Sequence, residues 1–229
     1  MNAYLPELFE KLCPEEKFSG WLFHGTQLSG AIEIAGADGF DPRATESSHH
    51  TSLPLVSTSQ NDNVLTLFGD GSGFCFFVPP ENPLRIRRLH PFFHAATTAH
   101  ETTTEMLDDM IEDPAWEAEA IKAGFIDEAG YKTRGLSADD FMELVGDADG
   151  LAFPGFDSKH PRAEAEIGLT ESGCAKIWQM LEFVNILKDE MEPAVGLAKL
   201  KAMHAEEKEV ALAGRAPQTP EVEAAALRK

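Results

Sequence analysis

Apolar residues along the chain fall into two periods. Near the N-terminus, Leu5, Leu8, Phe9 and Leu12 alternate with charges at helical spacing, which predicts an amphipathic helix over residues 3–12. Trp21-Leu22-Phe23 then forms an apolar run that stops at His24-Gly25-Thr26. This reads as a buried strand over 20–26 that delivers its last side chains to a cleft. Ser29 and Gly36 bracket a short helix, and residues 41–52 form a polar loop. Leu53 to Ser59 is a second strand, closed by three hydroxyls. Ser59 with Asp62 is expected to cap a helix that buries Val64, Leu65 and Phe68. Gly69 to Gly73 make a turn, Phe74 to Val78 a strongly β-prone strand, and Leu84 to Leu89 another carrying Arg85, Arg87 and Arg88.

Strands return at 150–153 and 163–169. Ile177, Trp178, Leu181, Val184 and Leu187 recur at helical spacing, which predicts a packed helix over 174–188. Past Met191 the chain is rich in Ala, Glu and Lys and has no aromatics. That predicts a solvated helix or a disordered tail over 192–229. The fold class expected is α+β, one domain over 1–191.

Charge changes the picture of the middle. Residues 98–150 hold fifteen Asp or Glu against three Lys or Arg. Three helical patterns lie there: one opened by Thr98 with Glu101 and burying Met106, Leu107, Met110 and Ile111, one started by Asp113-Pro114, and one by Ser137 and ended by Gly146. The stretch reads as an acidic helical insertion over about 98–147. The whole chain of 229 residues carries a formal charge of −20. Such a surface repels phosphate backbones and steers basic protein partners toward it. Three widely spaced cysteines, Cys13, Cys75 and Cys174, point to a reducing compartment. No stretch is long and apolar enough to span a membrane, and no secretory signal opens the chain. The expectation is a cytoplasmic protein, or one delivered to another cell's cytosol without a cleavable signal.

The candidate chemistry lies on three strands: His24-Gly25-Thr26, Ser57-Thr58-Ser59 and Glu164-Ala165-Glu166. Side chains alternate along a strand, so Glu164 and Glu166 share a face, an arrangement that needs a cation or a hydrogen-bonding network to offset the repulsion. His90, His94 and His100 with Glu101 form a weaker set, broken by Pro91, and no metal is expected. Gly69, Gly71 and Gly73 lack the Gly-Lys-Ser/Thr of a phosphate loop.

In order and spacing these three motifs resemble the ADP-ribosyltransferase superfamily over about residues 18–95 and 148–170. There the first strand carries Arg or His followed by Gly, the middle strand Ser-Thr-Ser, and a late strand Glu-x-Glu. Families with Ser-Thr-Ser usually begin with Arg, whereas His-Gly-Thr is typical of the poly-ADP-ribose-polymerase-like branch, which has Tyr in the middle. This chain combines the two.

The resemblance implies a split β-sheet core with a helical insertion and a C-terminal helix, and NAD as substrate. It places cofactor contacts at His24, Gly25, Thr26, Ser57, Thr58 and Phe68. His24 would hold the adenosine ribose and the Gly25 backbone the nicotinamide amide. Ser57 would orient Glu166, which would stabilise the ribosyl cation, and Glu164 would position the acceptor. For the pyrophosphate charge the sequence offers Arg43, Arg85 and Arg87, one or more of which would neutralise it, and it does not choose among them. The expected activity is mono-ADP-ribosyl transfer to a protein side chain, an arginine or a hydroxyl, as in toxins and effectors. The alternatives are an NAD glycohydrolase and an inactive relative that binds a protein partner; an acceptor in nucleic acid is disfavoured by the acidic surface.

Overall fold

The computed structural model describes residues 3–43, 53–93, 114–124, 136–153 and 166–214. The described chain is a mixed α+β fold. Its elements are α1 (Leu5–Leu12), β1 (Glu15–Phe18), β2 (Gly20–Gly25), α2 (Leu28–Gly36), β3 (Val56–Ser59), α3 (Val64–Leu67), β4 (Gly73–Val78), β5 (Leu84–Arg88), α4 (Pro114–Ala123), α5 (Ala138–Val145), β6 (Gly150–Ala152), β7 (Glu166–Leu169), α6 (Glu171–Trp178), β8 (Leu181–Ile186), β9 (Asp189–Met191) and α7 (Pro193–Gly214). The strands form one sheet in the order β1-β5-β6-β7-β3-β2-β4-β8-β9.

Two cores cover the sheet's two faces. Leu151 belongs to the first and Ala152 to the second, as neighbours on a strand must point to opposite sides. The second core runs behind the whole sheet, joining Leu22, Phe74, Phe76, Ile167 and Val184 to Ala31, Ile32, Ile177 and Leu200 of the helices. The first core lies on the other face, where Leu151 and Phe153 pack under Leu8, Phe9, Phe141 and Val145. Phe9 meets Phe141 edge-on at 5.8 Å and Phe93 at 5.0 Å. The insertion is therefore wired into the fold by α5. Its position has a topological reason: β5 and β6 pair in parallel, Ile86 opposite Gly150, and parallel neighbours require a long crossover. Ser137 caps α5 as its sequence predicts, its hydroxyl accepting from the Asp140 amide at 3.1 Å. The helix predicted from Met106, Leu107, Met110 and Ile111 lies outside the described residues.

Three of the expected elements take another form. The helix expected over 174–188 stops at Trp178, and Leu181–Ile186 forms β8, paired antiparallel to β4 and to β9. Leu181, Val184 and Leu187 fit both periods. The strand wins because Phe74 and Cys75 offer an open edge that Val184 and Phe183 fill. The hairpin turns at Leu187 and Lys188, with φ of 53° and 75°, the left-handed region that a two-residue turn needs. Neither residue type signals such a turn. Second, α3 is short and only Val64 is buried in it, while Phe68 stays 45 % exposed. Ser59 does not cap it: its hydroxyl accepts from the Asn61 amide at 2.9 Å and closes a local turn instead. Third, α7 docks by its first half, with Leu200 buried and Gly196 seated against Val184.

Phe141→Ala is expected to destabilise the protein by about 3–5 kcal/mol, the usual cost of emptying an aromatic site in a packed core. Urea denaturation measures it; a cost under about 1 kcal/mol would mean that α5 is not part of the core.

Candidate functional site

The three motif strands are neighbours. In the sheet order β7-β3-β2, Ser59 lies opposite both Glu166 on one side and Phe23 on the other. β3 and β7 pair at four positions, from Val56 opposite Leu169 to Ser59 opposite Glu166. β2 and β3 pair at one position alone, so the ladder nearly parts there. Directly paired residues share a face, and alternation then places Ser57, Ser59, Glu166, Phe23 and Trp21 on the face of the first core.

His24 spans the parting. Its Nδ1 lies 2.8 Å from the Ser57 carbonyl oxygen. A carbonyl only accepts, so Nδ1 carries the proton and Nε2 keeps its lone pair in the neutral ring. Burial pushes the imidazole pKa below its ordinary 6.5, with the Ser57 carbonyl pulling weakly the other way. The ring is thus neutral at pH 7. Phe40 packs against it at 4.8 Å and rests in turn on Phe74, Phe76 and Trp178. Sequence reading missed Phe40, a single aromatic in a turn with no periodicity to mark it.

From the other side of Ser57, its hydroxyl donates to Glu166 Oε1 at 2.7 Å. Glu166 is 8 % exposed, at the start of β7. A hydrogen bond to an ionised carboxylate is roughly twice as strong as a neutral one and fixes where the charge points. Ser57 thereby couples two groups: its carbonyl orients a neutral imidazole and its hydroxyl orients a carboxylate. Glu164 lies outside the described residues.

The remaining predicted residues fall around this centre. Thr58 is buried and its hydroxyl donates to the Ile167 carbonyl at 2.8 Å, tying β3 to β7. Gly25 is required by packing: a Cβ there would stand 2.0 Å from the Val64 carbonyl oxygen, so its lack of a side chain seats α3 against β2. The Thr26 amide donates to the Ser72 carbonyl at 3.2 Å, and its hydroxyl lies over Gly30 at the start of α2. Phe68 closes α3 with its ring exposed.

Of the three arginines, Arg87 is a strut, bound to Glu10 at 2.7 and 2.8 Å and lying over the Phe9 ring. Arg85 pairs with Asp147 and Arg43 with Glu171. His90 accepts from the Phe92 amide; His94, His100 and Glu101 lie outside the described residues. Among the described residues no group of three or more His, Cys, Asp or Glu side chains is placed to hold a metal ion. No described helix is long and apolar enough to cross a membrane.

A second buried polar centre escaped the sequence reading. Asp149, 3 % exposed, accepts from the Arg85 amide at 2.8 Å, from Ser172 at 3.1 Å and from Lys176 Nζ at 3.1 Å. It locks β5, β6 and α6 together just where the crossover returns to the sheet. Comparison with protein-family models, with curated proteins and with solved structures returned no match.

The lowered His24 pKa makes a stability prediction. Because the folded value lies below the ordinary 6.5, the unfolded chain takes up the proton first as the pH falls. His24's contribution is complete above that value and is lost as the pH drops from there toward the folded value. The urea midpoint of the wild type should therefore exceed that of His24→Asn by a margin that narrows between pH 8 and pH 5. A constant margin would contradict a depressed imidazole.

Proposed function

We propose that the protein is an ADP-ribosyltransferase that cleaves the nicotinamide–ribose bond of NAD and passes ADP-ribose to a protein side chain. The observation that carries this reading is the His24–Ser57–Glu166 constellation across the parting of the sheet. It joins residues 142 positions apart in the chain, from 24 to 166, through two hydrogen bonds of 2.8 and 2.7 Å. Two of the three motifs that resemble the superfamily thus converge with the described half of the third.

The chemistry suits these groups. As the glycosidic C–N bond breaks, its electron pair leaves with nicotinamide and positive charge builds on the ribose, the oxocarbenium character met in glycoside cleavage. A carboxylate already oriented by Ser57 opposes that charge without reorganising. The neutral His24 offers Nε2 as an acceptor for a ribose hydroxyl. Gly25 and Thr26 bring backbone to the same strand end, and the exposed Phe68 ring is a flat apolar surface for nicotinamide. Glu164, two residues before Glu166, takes the proton of the attacking acceptor, arginine or hydroxyl. The new bond forms at the ribose carbon as that proton leaves.

Glu166→Gln keeps shape and removes charge, and should lower NAD turnover about a hundred- to a thousandfold. Glu164→Gln should lower transfer to protein while residual hydrolysis survives, because water needs no oriented acceptor. Nicotinamide release and labelling of lysate proteins from radiolabelled NAD read both. Release without any labelling would make the protein a glycohydrolase; no NAD binding by the wild type would sink the proposal.

A further inference from the structure

One face of β2, β4 and β8 carries an aromatic surface that the site does not use. Trp21 stacks on Phe23 at 6.2 Å and on Phe183 at 6.2 Å and meets Phe77 at 5.2 Å. Trp21 is 42 % exposed and the other three rings are half-buried. Strand pairing fixes the shared face: Trp21 lies opposite Phe77, and Phe23 opposite Cys75, which in turn lies opposite Phe183. This is the same face as Glu166, since Phe23, Ser59 and Glu166 lie in one cross-strand row. The rest of that face, over β6 and β7, is covered by the first core.

The surroundings are acidic. Asp62 and Glu190 both act electrostatically on Cys75, in the same patch, and both are exposed. Glu190 lies opposite Asn185, whose amide donates to the Cys75 sulfur at 3.2 Å. An exposed tryptophan on so acidic a chain suits a cation, which the ring face attracts through its quadrupole. The guanidinium of arginine is the group that stacks best on such a ring. The chain's formal charge of −20 favours encounter with a basic partner.

We propose that this aromatic surface docks an arginine-bearing segment of the acceptor protein. The identification of the segment as part of the acceptor rests on the transferase reading. Docking itself does not require turnover, so the two are separable.

The test is isothermal titration of the full chain, at physiological ionic strength, with the capped peptide Gly-Ala-Arg-Gly-Ala-Arg-Gly and its citrulline counterpart. The arginine peptide should bind and the citrulline peptide should not. Trp21→Ala should weaken binding roughly tenfold, within the range for a partly desolvated cation–π contact. Trp21→Phe and Phe183→Leu, milder changes that keep the patch filled, should weaken it less. NAD affinity should stay unchanged in all three. The double variant Glu206→Gln, Glu207→Gln removes charge from α7, which packs on the opposite face of the sheet, and should leave binding as it was. Equal affinity in wild type and in both Trp21 variants would overturn the proposal. So would a loss in the α7 variant as large as that in Trp21→Ala, since net charge alone would then explain binding. Absence of NAD binding in a wild type that binds the peptide would sink the transferase reading and leave the docking surface standing.

Discussion

The structure depends on one place where the sheet almost comes apart. Between β2 and β3 the ladder is reduced to Phe23 opposite Ser59, and an imidazole takes up the bonding where the backbone stops. A single pair is a weak joint, since each backbone hydrogen bond contributes only about 1 kcal/mol net. The joint holds because both sides are rigid for other reasons. On one side β2 is paired to β4 at six positions, from Gly20 opposite Val78 to Gly25 opposite Gly73. On the other, β3 is paired to β7 at four and pinned by the Thr58 hydroxyl. A gap between two stiff halves is a place where a ligand can reach backbone and side chains together. A uniform sheet offers no such opening.

That stiffness is built from distant parts of the chain. Asp149 fixes the return of the crossover by holding the Arg85 amide, Ser172 and Lys176. A buried carboxylate is costly unless its oxygens are satisfied, and here each accepts at least one hydrogen bond. The same residue's carbonyl accepts from the Thr170 amide, so the end of β7 is anchored by the start of β6. Glu166, at the opposite end of the four-residue β7, inherits its position from that anchor. Arg87 does the equivalent work for α1, clamping Glu10 while its guanidinium lies over Phe9.

Much of this was legible in the sequence, for a physical reason in each case. His24, Ser57 and Glu166 stood out because three strands carry polar motifs whose order and spacing together are more specific than any one of them. α1 and α5 were visible from their periodicity and from Ser137 as a cap. β8 was not, because Leu181, Val184 and Leu187 satisfy both periods over so short a run, and because the turn that follows puts a leucine and a lysine where glycine or asparagine would have marked it. β1 was hidden for a related reason: four residues at a sheet edge, only Phe18 of them buried, leave almost no apolar pattern to read. The networks of Asp149 and Arg87 join residues more than sixty positions apart, and no local pattern carries a contact of that range.

Gly25 and His24, neighbours on β2, differ in what explains them. Packing alone requires glycine there, because the Val64 carbonyl occupies the space of a side chain. That requirement would stand if the protein bound nothing, so Gly25 by itself does not argue for a site. His24 beside it is different in kind. A half-buried imidazole with a depressed pKa gives up solvation and contributes no apolar packing that a leucine could not supply. Its one described hydrogen bond goes to the residue whose hydroxyl holds Glu166. Through that bond the ring holds the Ser57 backbone, and it does so where the β2–β3 ladder has a single pair.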